Sequence, residues 1–136
     1  MNKWCVRGRV RSSSGGNSSV SKTRSFTVKI DKYLPLYYAG ASGDFNLIHI
    51  DREFGERQGL GGNILQGMCT MGITANQLIG DDDPAKLKSI NVRFASPVYP
   101  GDELAIHAEY DGDSESFTVD KLNGDTIISD GIAEWR

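Results

Sequence analysis

Asp44 and His49 are the residues in this sequence best suited to acid–base chemistry. His49 is one of only two histidines, and an imidazole changes charge close to neutral pH. Asp44 precedes it within Ser42-Gly43-Asp44-Phe45-Asn46-Leu47-Ile48-His49. A carboxylate and an imidazole that meet can hold a water molecule and move its proton. A third feature follows at Gln66-Gly67-Met68, where a helical pattern begins. The first amides of a helix lack intrahelical acceptors, so Gly67 can offer an N–H to a carbonyl oxygen that gathers negative charge. Glycine at that position also lets a ligand come close to the backbone. Together these residues point to proton transfer beside a polarised carbonyl.

Spacing decides how the pair can be positioned. Five residues at 3.6 per turn correspond to about 140° around a helix. A regular helix aims Asp44 and His49 apart, so a turn or irregular loop is needed to bring them together. Asn46 suits such a loop, because its side chain can satisfy nearby backbone groups.

The flanking elements follow from periodicity. Asp31 is the expected N-cap of a helix running to about Ala41, with Pro35 near its first turn and Ser42-Gly43-Asp44 at its end. Asp51 is the expected cap of a short helix that Gly59 stops, before the loop Gly59-Leu60-Gly61-Gly62. From Gly67, the positions Met68, Met71, Ala75, Leu78 and Ile79 form an expected buried stripe. Cys69, Gly72 and Ala75 are small enough to let that helix lie close to a sheet, and Asp81-Asp82-Asp83-Pro84 ends it. The period then changes to two. Ile90, Val92 and Phe94 alternate, as do Leu104, Ile106, Ala108 and Tyr110, with Phe117 and Val119 on a further strand. Asn123-Gly124 marks a hairpin before a last strand that ends near Trp135.

Upstream, Trp4, Val6 and Val10 give a strand signal over residues 3 to 11, and Ser12 to Ser19 is low-complexity loop. With a strand from Thr23 to Ile30 this reads as a hairpin. Helices early and antiparallel strands late predict an α+β domain with a sheet wrapping one long helix.

Composition narrows the function classes. The 136 residues suit one domain, 38% hydrophobic and 24% charged, as in a globular protein. A net charge of −3 gives no overall attraction to nucleic acid or anionic lipid. Arg7, Arg9, Arg11, Lys22 and Arg24 make the N-terminus locally basic, which reads as a solvated hairpin. Cys5 and Cys69 have no metal-ligand spacing, Cys69 reads as a core residue, and no cofactor is expected. His107 shares a strand face with Glu103 and Glu109 and is expected to be solvated. No apolar run approaches membrane-spanning length, and a cytoplasmic location is expected.

The stretch Tyr38-Ala39-Gly40-Ala41-Ser42-Gly43-Asp44-Phe45-Asn46-Leu47-Ile48-His49-Ile50-Asp51 resembles the hydratase motif of the MaoC-like (R)-specific enoyl-thioester hydratases and dehydratases. Gly67-Met68 is similar to the Gly-Met that opens the family's central helix, and the segment from Arg93 to Leu104 to its following strand and turn. The resemblance covers about residues 26 to 110. It implies a hot-dog fold, with the sheet wrapped around the helix and the chain paired with a second copy or a homologous subunit. It also implies that Asp44 and His49 are the catalytic pair, activating water for addition across a trans-2-enoyl thioester to give a (3R)-hydroxyacyl product. Gly67 becomes the oxyanion donor, and Asn46, Ser42 and Met68 complete the expected substrate-binding set. The substrate is then an acyl-CoA or acyl-carrier-protein thioester. Leu47 stands where the family usually has proline, and Gln66 where histidine commonly precedes Gly-Met. Three other readings remain open at this stage. They are a hot-dog thioesterase, an acyl-thioester-binding subunit of a heteromeric hydratase, and a polyanion-binding module resting on the N-terminal arginines.

Overall fold

Strand β1 (Lys22–Lys29) opens the structure, a computed structural model that describes residues 22–136. The strand expected over residues 3 to 11 and the loop over 12 to 19 lie outside the described residues. Four helices follow, α1 (Leu34–Ser42), α2 (Leu47–Ile50), α3 (Arg52–Arg57) and α4 (Gly67–Ile79). A 3-10 turn (Pro84–Lys86) then leads into β2 (Leu87–Phe94), β3 (Glu103–Asp111), β4 (Ser114–Lys121) and β5 (Thr126–Trp135). The described strands form one antiparallel sheet in the order β1-β3-β4-β5-β2.

One face of this sheet carries the core. Phe26, Val28, Leu104, Ile106, Phe117, Val119 and Ile128 are all buried there, in the alternation that the strand pattern predicts. Leu65, Cys69 and Leu78 pack into the same cluster, so α4 lies across the sheet. Near its middle β5 slips register against both neighbours, pairing Ile128 with Val119 but Gly131 with Phe117. Asp130, with φ 52°, is the extra residue of this bulge.

The buried side of α4 differs from the expected stripe. Cys69, Thr70, Thr74 and Leu78 point inward, whereas Met68 is 61% exposed and Met71, Ala75 and Ile79 are only partly buried. Threonine can take this place because Thr74 Oγ1 donates to the Thr70 carbonyl at 2.9 Å, which satisfies the hydroxyl and turns the methyl to the core. Asp31, the expected cap, lies two residues before the observed one: its carboxylate accepts from the Tyr33 amide at 2.8 Å, and Tyr33 is the capping residue of α1. Pro35 falls in the first turn and Gly43, at φ 79°, closes the helix in the left-handed region, as expected. His107 is exposed on the outer face, with Nδ1 3.3 Å from Ser25 Oγ.

Arg24 departs from the solvated reading of the basic N-terminal stretch. Its guanidinium forks onto the carboxylate of Glu115, with hydrogen bonds of 2.9 and 2.8 Å, and also donates to the Leu78 carbonyl at 3.1 Å. Trp135 Nε1 donates to Glu115 at 3.0 Å. The Glu115 side chain is 0% exposed, so these donors hold a charge that has no water of its own. The network ties β1, β4, β5 and the end of α4 together.

Two measurable consequences follow from this packing. Arg24→Met strands the Glu115 carboxylate in the core and is expected to cost about 3–5 kcal/mol in urea unfolding; adding Glu115→Leu is expected to restore most of it. A loss under 1 kcal/mol in the single variant would contradict the role given to the pair. Cys69 lies in the first turn of α4, a place that tends to lower a thiol pKa, yet burial pushes it up to about 11. At pH 8, native-state alkylation of Cys69, read by site-resolved mass spectrometry, is expected to be about 10²-fold slower than in urea.

Candidate active site

The loop between α1 and α2 is shaped by its own side chains. Ser42 Oγ donates to the Tyr38 carbonyl at 2.7 Å and accepts from the Asp44 amide at 3.1 Å, so the end of α1 sets the direction of Asp44. Asp44 Oδ1 accepts from the Asn46 amide at 3.3 Å, which leaves Oδ2 free to face elsewhere. Asn46 Oδ1 caps α2 through the Ile48 amide at 3.2 Å. The helix that follows is a single turn, and it swings His49 back toward Asp44. Nε2 of His49 lies 3.6 Å from Asp44 Oδ2. The convergence required by the spacing is therefore achieved by a loop and one helical turn. Leu47 occupies the first position of α2, where a backbone N–H has no intrahelical acceptor in any case, so the loop holds without proline.

The other face of the imidazole fixes its tautomer. Nδ1 sits 2.8 Å from the Ile64 carbonyl oxygen, which can only accept, so Nδ1 carries the proton. In the neutral ring Nε2 is then a lone-pair acceptor. It faces a second acceptor, Asp44 Oδ2, at a separation too long for a direct hydrogen bond. Two acceptors so placed match the two O–H bonds of one water. The His49 side chain is 11% exposed and that of Asp44 48%, so the carboxylate stands on the solvent side of the pair.

Residues 63 to 65 hold the arrangement against the body of the protein. The Ile64 amide donates to the Ile48 carbonyl at 2.9 Å, and the Leu65 amide to the Val98 carbonyl at 2.7 Å. Asn63 Nδ2 donates to the His49 carbonyl at 3.0 Å. Gly55 of α3 is pressed onto the same segment: a Cβ there would lie 2.0 Å from the Gly62 carbonyl oxygen. Only glycine permits that approach.

His49 and Gly67 border one cavity of about 390 Å³, floored by Leu65, Val98 and Ile127. Gly67 begins α4, so its N–H has no intrahelical partner. The Phe94 ring closes over it, with ring atoms 3.1–3.3 Å from where a Cβ would stand. Five of the expected residues thus come together, with Ser42, Asn46 and Asp44 forming the loop and His49 and Gly67 the cavity wall. The Met68 side chain does not join them. It borders a second cavity of about 770 Å³ on another side of the helix, with Tyr38 and Ala41, because one residue along a helix turns a side chain by about 100°.

Gln66 contributes a feature that residue type alone did not disclose. It precedes Gly67 and is 2% exposed. Nε2 donates to the Pro35 carbonyl at 3.0 Å and makes a longer contact of 3.5 Å with the Asp44 carbonyl. Oε1 is buried without a partner, the only such side-chain atom among the described residues, at a cost of about 1–3 kcal/mol. The Ile64 carbonyl was equally hidden, since a backbone acceptor leaves no mark in residue type.

Comparison with known proteins places this geometry. Residues 16–131 match the family model described as MaoC like domain, a wider span than the motifs cover and one that begins inside the N-terminal stretch. The chain is 38% identical over 97 residues to the peroxisomal multifunctional enzyme type 2 of Mus musculus, covering 68% of this chain and 13% of the mouse protein. It is 36% identical over 101 residues to the probable enoyl-CoA hydratase 2 of Dictyostelium discoideum, covering 71% of this chain and 34% of that protein. The chain therefore spans about a third or less of the length of these relatives. A MaoC-like dehydratase from Phytophthora capsici superposes with a TM-score of 0.78 at 29% identity, over 82% of this chain and 39% of that one. The α+β hot-dog architecture expected from the sequence is thereby established. The cytoplasmic expectation is not upheld: the mouse relative is by name a peroxisomal enzyme, as are several others, and the lack of a membrane-length apolar run is silent about compartment. With its motif loop, helix start and sheet all matched in one continuous span, this chain belongs to the MaoC-like hot-dog family of hydratases and dehydratases.

Proposed function

We propose that the chain interconverts trans-2-enoyl thioesters and (3R)-3-hydroxyacyl thioesters. The observation that carries this reading is the placement of His49: Nδ1 lies 2.8 Å from the Ile64 carbonyl oxygen, which draws the proton there, and Nε2 and Asp44 Oδ2 become paired acceptors 3.6 Å apart, beside the cavity that Gly67 borders. A water held between them is oriented and made more nucleophilic. As its oxygen bonds to C3 of the enoyl group, an O–H bond breaks and its proton passes to the pair. The π electrons move toward the thioester oxygen, and the Gly67 N–H stabilises the enolate charge that develops there. The pair then returns a proton to C2 from the same side, which gives syn addition, and the face of C3 turned toward the pair sets the (3R) configuration. Dehydration is the same path reversed. Ser42 and Asn46 act by holding the loop.

The acyl group enters as a thioester of CoA or of an acyl-carrier protein, and a second hot-dog subunit completes the protein. Support for the subunit comes from the large apolar side chains left exposed on the helical side, among them Leu36, Phe45, Leu47 and Met68. Sedimentation equilibrium is expected to give about twice the 14.9 kDa of one chain, or to show association with a homologous subunit; a stable, active monomer would remove that element.

Hydration of trans-2-enoyl-CoA, followed by loss of the conjugated enoyl absorbance, tests the function. Asp44→Asn and His49→Gln are each expected to lower kcat by about 10²-fold or more while keeping a wild-type unfolding temperature. Thiol release is expected to be absent. Near-wild-type hydration in either variant, or thioester cleavage in place of hydration, would overturn the assignment.

A further inference from the structure

Gln66 stands between the two halves of the site. On its C-terminal side is Gly67, which lines the cavity; the Gln66 side chain reaches back to the carbonyls of Pro35 in α1 and Asp44 in the loop. We propose that Gln66 is a positioning residue for the hydration step, its side-chain amide holding the Asp44 loop at a fixed offset from the Gly67 helix start. This rests on the hydratase reading and deepens it.

The orphaned Oε1 is the independent observation. The amide cannot be turned over to relieve it, because a flip sets Oε1 against the carbonyl oxygens of Pro35 and Asp44. An apolar side chain of similar length removes the unpaired acceptor but also takes the donor from the Pro35 carbonyl, so the two terms oppose each other and methionine comes out close to glutamine in folding stability. What the amide supplies and methionine cannot is the N–H pair aimed at two carbonyls, one of which belongs to Asp44. Catalysis needs the reacting atoms aligned within about an ångström, and misplacement on that scale costs on the order of 10²-fold. Substrate affinity depends on the apolar cavity floor and is not set by this contact.

Stability and rate are therefore expected to separate. In Gln66→Met, thermal unfolding is expected close to the wild-type temperature, with kcat for trans-2-enoyl-CoA hydration down about 10- to 100-fold and KM changed by less than about threefold. Gln66→His retains an N–H donor and is expected to stay within about fivefold of wild-type kcat. Gln66→Glu can donate to the Pro35 carbonyl only while its carboxyl is protonated. Its kcat is expected to fall as pH rises, on a limb that the wild type lacks. Wild-type kcat in Gln66→Met, or a loss of rate that tracks a loss of folded protein, overturns the proposal. Should Gln66→Met fail to fold, a pH profile of Gln66→Glu identical to wild type overturns it as well. Wild-type hydration with unaffected variants removes only the role of Gln66, whereas a wild type that hydrates nothing removes the hydratase reading and this role together.

Discussion

The hydrogen bond from His49 Nδ1 to the Ile64 carbonyl governs everything else in the site. It selects the tautomer, turns Nε2 toward Asp44, and joins the one-turn helix α2 to the segment that leads into α4. Without it the neutral imidazole could carry its proton on Nε2 and donate it directly to the carboxylate, with no place for water between them. The backbone bonds from Ile64 to Ile48 and from Leu65 to Val98 make residues 63 to 65 a short crossbeam. The acid, the base and the helix end are thus referenced to one piece of main chain.

The remaining architecture serves to keep that piece still. The sheet offers a buried face on which α4 lies, and the Arg24–Glu115–Trp135 network pins the far end of the helix to β1, β4 and β5. A helix anchored at its C-terminus and packed along its length presents its N-terminal amides at a fixed point. The loop from Ser42 to Asn46 contributes through short-range hydrogen bonds alone, which suits a segment where Asp44 is half exposed.

Much of this was legible in the sequence wherever residue type and period coincide with structure. The separation of Asp44 and His49 ruled out a shared helical face, and the structure supplies the loop and turn that this demanded. The strand alternation from Ile90 onward and the Gly43 and Gly59 stops reappear in place. The failures share a cause, which is that the decisive atoms are ones residue type does not report. The inward side of α4 includes Thr70 and Thr74, polar by type, with the Thr74 hydroxyl satisfied within the helix. Arg24 reads as a surface charge until β1 is set two strands from Glu115, a contact across 91 residues. The Ile64 carbonyl has no side-chain signature at all. Gln66 was visible as an unusual letter before Gly67, but the direction of its amide belongs to the tertiary fold.

The fit of Gly55 against the Gly62 carbonyl gives the cavity two unlike walls. On one side, α3 meets the glycine loop at Gly55 with less room than a methyl group, and the crossbeam follows directly from that loop. On the other stands Phe94, a half-exposed ring at the end of β2, followed by the turn through Pro97. The chemistry proposed above would reside on the first wall, and the freedom to vary on the other. If the chain acts as proposed, it can take on new acyl groups by changing Phe94, while the side proposed to handle water remains as it was.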